Sequence, residues 1–289
     1  MKGIFTATVT PFTKALEVDL GAVERLTQFQ EAKGVAGVVP CGTNGEFPSL
    51  TMEECKAVIK AVDGARDRLK LIAGTGRASI KETLELTKYA AEYADALLVC
   101  PPFYFKDLSL NGLYDYYSAV LEVAQVPVIL YHIPKYTGVP ITHELLERLS
   151  GFEHLLGIKD SSGDIDVARG YRERFPDLAL YIGSDALVLD GLALGSAGAI
   201  SAISNFAPGL LVEIYGAFVA GASEEAKKAQ ERLKVLRGLV KRYPSIGAIK
   251  HALALMGVIG EGYVRPPLGT MTQEEKGELE RGLRAGGWL

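Results

Sequence analysis

Eight short apolar runs alternate with eight longer amphipathic segments along most of this chain, and this alternation limits its fold more than any other feature. Most of the short runs are continuously apolar, which is typical of parallel strands covered by helices. The predicted strands are residues 4–10, 37–41, 71–74, 96–100, 128–133, 156–159, 180–183 and 199–202. The predicted helices are residues 20–33, 52–65, 80–93, 110–124, 143–149, 164–174, 186–194 and 208–220. Eight strand–helix pairs predict an α/β fold of the closed (β/α)8 TIM-barrel type. A doubly wound open sheet is the alternative, but it usually has fewer units and a stronger glycine-rich fingerprint.

After residue 220 the alternation stops and only helical patterns follow. The predicted helices here are residues 224–243, 246–257 and 273–285. No linker or change of composition marks an independent fold, and 289 residues suit a single barrel. We therefore expect a catalytic barrel over residues 1–222 and a C-terminal three-helix extension over residues 223–289, packed on the barrel or on a partner subunit.

Several predicted helices begin with residues that cap helix N-termini. Thr51 and Glu54 have the capping-box spacing, in which a hydroxyl accepts a helix N–H and a carboxylate reaches back to the capping residue. Ser79 and Thr142 precede two further helices as simple N-caps.

Charge and hydropathy exclude several classes of partner. The net charge is −4, and no run of lysine and arginine offers a patch for nucleic acid. No apolar run is long enough to span a membrane, and the first residues do not resemble a signal peptide. We expect a cytoplasmic protein that acts on a small molecule.

The cysteines and histidines do not indicate a metal site. The three cysteines lack CxxC and zinc-finger spacing, and the four histidines are scattered without an HExxH motif. Cys41 and Cys100 end predicted strands, but no histidine stands near them to form a nucleophile pair, so we expect small core residues.

The most informative single residue is Lys159, at the end of the predicted sixth strand. In barrel enzymes the active site lies at the C-terminal ends of the strands. A lysine held among apolar neighbours favours its neutral amine, which is the form that imine chemistry needs. The alternative is a strand-end lysine that extends to solvent, and the run of residues 155–162 alone favours that alternative.

The fifth strand supplies a partner for this lysine. Ile129 and Tyr131 share one strand face, so a barrel interior would hold Tyr131 beside Lys159, with Gly157 leaving room for the stem of the lysine. A tyrosine hydroxyl beside an amine can move protons during imine formation. The alternative is a core tyrosine whose hydroxyl is bonded elsewhere.

The loop of residues 42–46, Gly-Thr-Asn-Gly-Glu, follows the second strand. It is not a phosphate-binding P-loop, because GxxxxGK[ST] is absent. Its glycines allow close backbone approach, and the Thr43 hydroxyl with nearby N–H groups could hold a carboxylate. An ordinary tight turn is the alternative.

Together these segments resemble the class I, Schiff-base-forming aldolases of the dihydrodipicolinate synthase / N-acetylneuraminate lyase superfamily over nearly the whole chain. The matching motifs are residues 8–12 (TVTPF), 42–46 (GTNGE), 102–104 (PFY), 131–134 (YHIP), 157–160 (GIKD), 183–185 (GSD) and 265–267 (RPP).

The resemblance implies four catalytic residues. Lys159 forms an imine with the C2 carbonyl of pyruvate or another 2-keto acid, and Tyr131 moves protons. Thr43 links Tyr131 to Tyr104, which in the family comes from a neighbouring subunit. The protonated imine is the electron sink, so no metal or organic cofactor is implied. A homotetramer built as a dimer of dimers is implied as well.

The resemblance also implies the substrate-binding residues. The backbone of Thr43 and Asn44 binds the pyruvyl carboxylate, and Gly183 and Ile200 line the pocket with carbonyls. Tyr136 stands where dihydrodipicolinate synthases typically carry an arginine that binds the carboxylate of aspartate semialdehyde. A phenol does not replace a bidentate guanidinium clamp. Asn44 also replaces a threonine that would extend the hydroxyl relay.

These departures favour a neutral polyol aldehyde, as in the 2-keto-3-deoxygluconate aldolases, which release pyruvate and glyceraldehyde. The 6-phosphate stays open because Lys106 and Lys135 are near, although solvated loop lysines are the simpler interpretation. Within the class the alternative is 4-hydroxy-tetrahydrodipicolinate synthase, followed by sialic-acid lyase or a 2-keto-acid dehydratase. From another class, a non-catalytic keto-acid sensor is the alternative, and the intact catalytic set argues against it.

Overall fold

Eight parallel strands form a closed barrel in the computed structural model, which describes residues 1–289. The strands follow one another in chain order around the barrel, and the last pairs in parallel with the first. They are β1 Gly3–Thr6, β2 Gly37–Val38, β3 Lys70–Gly74, β4 Ala96–Val99, β5 Val128–His132, β6 Leu155–Asp160, β7 Ala179–Ile182 and β8 Gly198–Ser201. The predicted (β/α)8 barrel is confirmed, and the open-sheet alternative is wrong.

Helices follow the strands and cover the outside of the barrel. They are α1 Leu20–Ala32, α2 Met52–Ala65, α3 Ile80–Ala90, α4 Leu110–Val123, α5 Pro134–Thr137, α6 His143–Leu149, α7 Ile165–Arg174, α8 Val188–Ala193 and α9 Pro208–Val219. Three more continue the chain: α10 Ser223–Val240, α11 Ser245–Leu255 and α12 Gln273–Ala285. None of the twelve combines the length and apolarity that crossing a bilayer requires.

Some element boundaries differ from the predictions. The first two strands end earlier than expected, at Thr6 and Val38. The predicted second strand could not include Cys41, whose φ of 55° no strand can continue. The predicted helix 186–194 is a 3-10 turn, Asp185–Leu187, followed by α8. The single-turn α5 was not predicted. It begins at Pro134, which suits a first helical position, and ends before Gly138 in the left-handed conformation.

The predicted caps form. The Thr51 hydroxyl accepts the N–H of Glu54 at 3.2 Å, and the Glu54 carboxylate accepts the N–H of Thr51 at 2.8 Å. The side chains of Ser79 and Thr142 also accept first-turn N–H groups. These bonds satisfy donors that a helix start would otherwise leave unpaired.

Side chains fill the inside of the barrel. The buried apolar residues that form this inner cluster are Phe5, Ala7, Val39, Ile72, Ala96, Leu98, Cys100, Ile129, Tyr131, Ile133, Tyr181 and Ile200. A separate and larger core lies between the strands and the surrounding helices. The barrel is therefore packed, and substrate can enter only at its mouth.

The helix α10 is fastened to the loop that follows β7. The side chain of Gln230 donates to the carbonyl of Asp185 at 3.0 Å and accepts the N–H of Leu189 at 3.0 Å. Because these bonds fix α10 beside the C-terminal ends of the strands, residues later in α10 reach the barrel mouth.

Candidate active site

Lys159 lies inside the mouth of the barrel. It stands opposite Tyr131 on β5 and Tyr181 on β7, and its side chain points away from solvent, because the residue is only 4% exposed. Its Nζ is 4.1 Å from the centroid of the Tyr131 ring. The alternative of a solvent-directed lysine is wrong.

Gly157 lies against the backbone of the neighbouring strand β7. A Cβ at this position would lie 2.7 Å from the carbonyl carbon of Ala179 and closer still to its oxygen. The glycine therefore allows β7 to approach β6. The room that Gly157 leaves for the stem of Lys159 stays a prediction.

The loop of residues 42–46 stands next to this pair. The Thr43 hydroxyl is 3.5 Å from the Tyr131 hydroxyl, at the long limit for a hydrogen bond. The N–H groups of Thr43 and Asn44 donate to no protein acceptor. Unpaired backbone donors at the edge of a pocket are what a carboxylate needs.

A cavity of about 430 Å³ opens above Lys159. Seven of the predicted site residues line it, namely Thr43, Asn44, Tyr131, Tyr136, Lys159, Gly183 and Ile200. Tyr104 does not: it is 79% exposed, and its ring packs against Phe105 at 5.3 Å between centroids. Its catalytic role stays a prediction that depends on a neighbouring subunit.

The sequence interpretation missed two basic residues in the cavity wall, Arg237 at the end of α10 and Lys241 just after it. Lys135 joins them, while Lys106 does not line the cavity. Burial lowers the pKa of Lys241, and the neighbouring charges of Arg237 and Lys135 lower it further. The spacing of Arg237 and Lys241 places them on one helix face, but only the packing of α10 shows that this face meets the mouth.

Asp185 is the acidic residue of the cavity; the sequence pointed to it only as part of the motif of residues 183–185, without a role. Its buried carboxylate accepts the hydroxyl of Ser201. Burial raises the pKa of Asp185, opposed by the Ser201 hydrogen bond and by the charges of Arg237 and Lys159. The mouth thus carries several cations around one carboxyl group, which suits a substrate with an anionic group.

On the outer face of the same strands, His132 and Asp160 support the ends of β5 and β6. His132 Nδ1 accepts the N–H of Ile141 at 3.0 Å, and its Nε2 is 3.9 Å from Asp160. Burial lowers the pKa of His132 to about 4. Burial raises the pKa of Asp160, opposed by two hydrogen bonds from Ser162. The structure has no group of three or more His, Cys, Asp or Glu side chains that could hold a metal ion.

A closed barrel with a buried lysine at the mouth end of β6 has the architecture of a class I aldolase, which binds its keto substrate as an imine. A model of the dihydrodipicolinate synthetase family matches residues 1–286. The chain belongs to this family, and it is therefore a pyruvate-dependent aldolase that uses a lysine Schiff base and no external cofactor.

Individual relatives span nearly the whole chain. The 4-hydroxy-tetrahydrodipicolinate synthase of Syntrophus aciditrophicus is 40% identical over 286 residues, which are 97% of this chain and 96% of the relative. The crystal structure of dihydrodipicolinate synthase from Aquifex aeolicus has a TM-score of 0.94 at 30% identity and covers 100% of this chain and 99% of its own. A sialic acid aldolase of Ruminococcus gnavus has a TM-score of 0.93 and covers 99% and 97%. At 24% identity this last likeness concerns the fold alone.

These relatives bear on the substrate that the sequence suggested. They support the resemblance to the superfamily, but they do not support the narrower resemblance to 2-keto-3-deoxygluconate aldolases. The curated names favour the alternative, 4-hydroxy-tetrahydrodipicolinate synthase.

Proposed function

We propose that this enzyme binds pyruvate as an imine on Lys159 and joins it to aspartate semialdehyde, as a 4-hydroxy-tetrahydrodipicolinate synthase. The buried position of Lys159, with its amine against the Tyr131 ring, is the observation on which the proposal rests. The names of the curated relatives support the choice of aldehyde.

The chemistry follows from the neighbours of the lysine. The neutral amine of Lys159 attacks the C2 carbonyl of pyruvate, and loss of water leaves the imine. Tyr131 takes the proton from the attacking nitrogen and returns it to the departing hydroxyl. The protonated imine then accepts the electron pair released when C3 gives up a proton to the relay of the Tyr131 and Thr43 hydroxyls. The resulting enamine carbon attacks the aldehyde, whose oxygen takes up a proton and becomes the 4-hydroxyl group. The amino group of the semialdehyde then attacks the re-formed imine at C2 and displaces the Lys159 amine, which closes the ring and frees the enzyme.

The remaining site residues bind and orient. We assign the N–H groups of Thr43 and Asn44 to the pyruvyl carboxylate, and the carbonyls of Gly183 and Ile200 to the pocket wall near the imine. The Thr43 hydroxyl links Tyr131 to Tyr104 of a neighbouring subunit. This relay therefore needs a dimer at least, and a dimer of dimers agrees with the family resemblance.

The basic wall of the cavity supports an aldehyde that carries an anionic group. Arg237 comes from the proposed extension of residues 223–289 and Lys135 from the proposed barrel of residues 1–222, so each part contributes to the cavity. A guanidinium at this wall can pair with the carboxylate of aspartate semialdehyde. It would replace the arginine that is absent at position 136.

Tyr136 favours a second candidate, cleavage of 2-keto-3-deoxygluconate. This residue is 64% exposed and lines the cavity, and its phenol suits hydroxyl groups of a sugar acid better than a carboxylate. The same basic wall could hold the phosphate of the 6-phosphate form. The buried Lys159 beside Tyr131 argues against a sensor that lacks imine chemistry.

Borohydride reduction in the presence of pyruvate tests the first step. The wild type should gain the mass of a reduced pyruvyl adduct on Lys159, and a Lys159→Met variant should gain none. An unmodified wild type would refute the proposed chemistry and favour the sensor. Steady-state assays then compare pyruvate plus aspartate semialdehyde with 2-keto-3-deoxygluconate and its 6-phosphate. Preferred turnover of a sugar acid would replace the first candidate by the second.

A further inference from the structure

A buried ion pair joins the loop of residues 42–46 to the C-terminal helices. Lys250 of α11 donates to the Glu46 carboxylate, and neither side chain has any exposed surface. The Lys250 amine also donates to the carbonyl of Tyr263 at 2.8 Å and lies 4.1 Å from the centroid of the Phe12 ring. Burial lowers the pKa of Lys250 to about 8, against the opposing effect of Glu46. Burying a charge pair this completely costs free energy unless further hydrogen bonds compensate both charged groups, and Lys250 and Glu46 each have such bonds.

Arg265 completes the set of contacts around Glu46. Its backbone N–H donates to the second carboxylate oxygen of Glu46 at 3.0 Å. Its guanidinium donates to the carbonyl of Leu16 at 2.7 Å, to the carbonyl of Ser49 at 2.8 Å and to the capping carboxylate of Glu54. The Arg-Pro-Pro motif is thus bonded to segments on each side of the loop of residues 42–46.

The loop itself has a strained backbone. Cys41 and Glu46, at its two ends, have φ values of 55° and 56°, which cost a residue other than glycine about 1–2 kcal/mol each. Between them stand Thr43 and Asn44 with their unpaired N–H groups. Such a conformation persists only where surrounding contacts hold it. The Glu46 carboxylate makes two of the side-chain contacts that hold this end of the loop, and the Thr10 hydroxyl makes another by donating to the Gly45 carbonyl at 2.7 Å.

We infer that Lys250 and Arg265 are positioning residues, which hold Glu46 so that the loop of residues 42–46 directs its N–H groups to the carboxylate of the keto substrate. This inference rests on the proposed role of those N–H groups. It assigns to the helical extension a part in substrate binding, through a contact that joins positions 204 residues apart. Neither Lys250 nor Arg265 lines the cavity, so they act through the loop.

The variant Glu46→Gln tests this role with the smallest change of shape. The amide keeps an oxygen for the Arg265 N–H but removes the negative charge that accepts from Lys250, so the loop has to move. Trapping rates on Lys159 are measured over a range of concentrations of pyruvate and of its neutral methyl ester. Lys250→Met is the second variant, since it breaks the same pair from the other side.

A matched control separates positioning from general stability. Arg66→Met breaks another ion pair, with Asp95, near the N-terminal ends of β3 and β4 and far from the mouth. The control should lower the unfolding temperature without changing the preference for pyruvate over its ester.

We expect Glu46→Gln to raise the pyruvate concentration that half-saturates trapping about tenfold, as for loss of one hydrogen bond to a charged group. The corresponding concentration of the methyl ester should rise much less. An equal loss for pyruvate and ester, or none, would overturn the inference while leaving the imine chemistry intact. Absence of any adduct in the wild type would instead refute the proposed function.

Discussion

Adding one methyl group at Gly157 should test how the barrel positions its lysine. In Gly157→Ala the new Cβ would lie 2.7 Å from the carbonyl carbon and 2.9 Å from the Cα of Ala179. These are backbone atoms of β7, which cannot rotate away as a side chain could. Restoring ordinary contact requires β6 and β7 to separate by about 1 Å.

The cost follows from this geometry. Overpacking a core usually costs about 1–3 kcal/mol. Hydrogen-bonded strands in a closed barrel shift less easily than side chains do, so the cost here should lie at the upper end of this range. We expect a loss of about 3 kcal/mol in the free energy of unfolding. Lys159 stands two residues further along the same strand, and a displacement of about 1 Å at a reacting group can reduce turnover about 100-fold.

Gly64→Ala is the matched control. Gly64 lies in α2, and a Cβ there would meet no atom within 4 Å. We expect it to stabilise the protein by about 0.5–1 kcal/mol, because alanine favours a helix more than glycine does, and to leave turnover unchanged. Urea unfolding and initial rates of imine trapping measure the two effects. If Gly157→Ala kept the stability and activity of the wild type, our account of the contact between β6 and β7 would be refuted.

Three further predictions concern the site and its support. Tyr131→Phe keeps the ring against the Lys159 amine but loses the hydroxyl, so kcat should fall about 10²–10⁴-fold with little change in the KM for pyruvate; a loss below tenfold would exclude Tyr131 from proton transfer. Arg237→Ala should raise the KM for aspartate semialdehyde about tenfold, as for a lost charge-assisted bond, and leave pyruvate trapping unchanged; an unaltered KM would place the aldehyde elsewhere. Burial holds the pKa of His132 at about 4, below the 6.5 of an unfolded chain. Below pH 6.5 the unfolded chain therefore binds a proton at His132 that the folded protein does not bind. The free energy of unfolding should fall by roughly 3 kcal/mol as the pH drops to 4. His132→Asn, with an oxygen for the Ile141 N–H, should weaken this dependence in urea unfolding at a series of pH values. Asp160 titrates in the wild type and in the variant alike, so the difference between them reports on His132. An identical pH dependence of stability in the two would contradict the role assigned to His132.

The sequence by itself determined the repeating architecture and the central pair of the site. Periodicity is a local property, so eight apolar runs with intervening amphipathic helices predicted the barrel, and the alternation along a strand placed Tyr131 beside Lys159. The Thr51 cap was predictable for the same reason, because its partner is only three residues away. The motifs also predicted the family.

Only the tertiary structure decided which distant residues complete the mouth. Arg237 reaches the cavity because α10 is bonded to the segment after β7, and no local pattern states where a helix packs. The Glu46–Lys250 pair joins residues that are far apart in the chain, and charges of opposite sign in a sequence do not reveal which of them are buried together. The close contact at Gly157 was not predictable for the same reason, because the atoms that exclude a side chain there belong to the neighbouring strand. Long-range packing is set by the whole barrel, and so it leaves no signal in the few residues that it constrains.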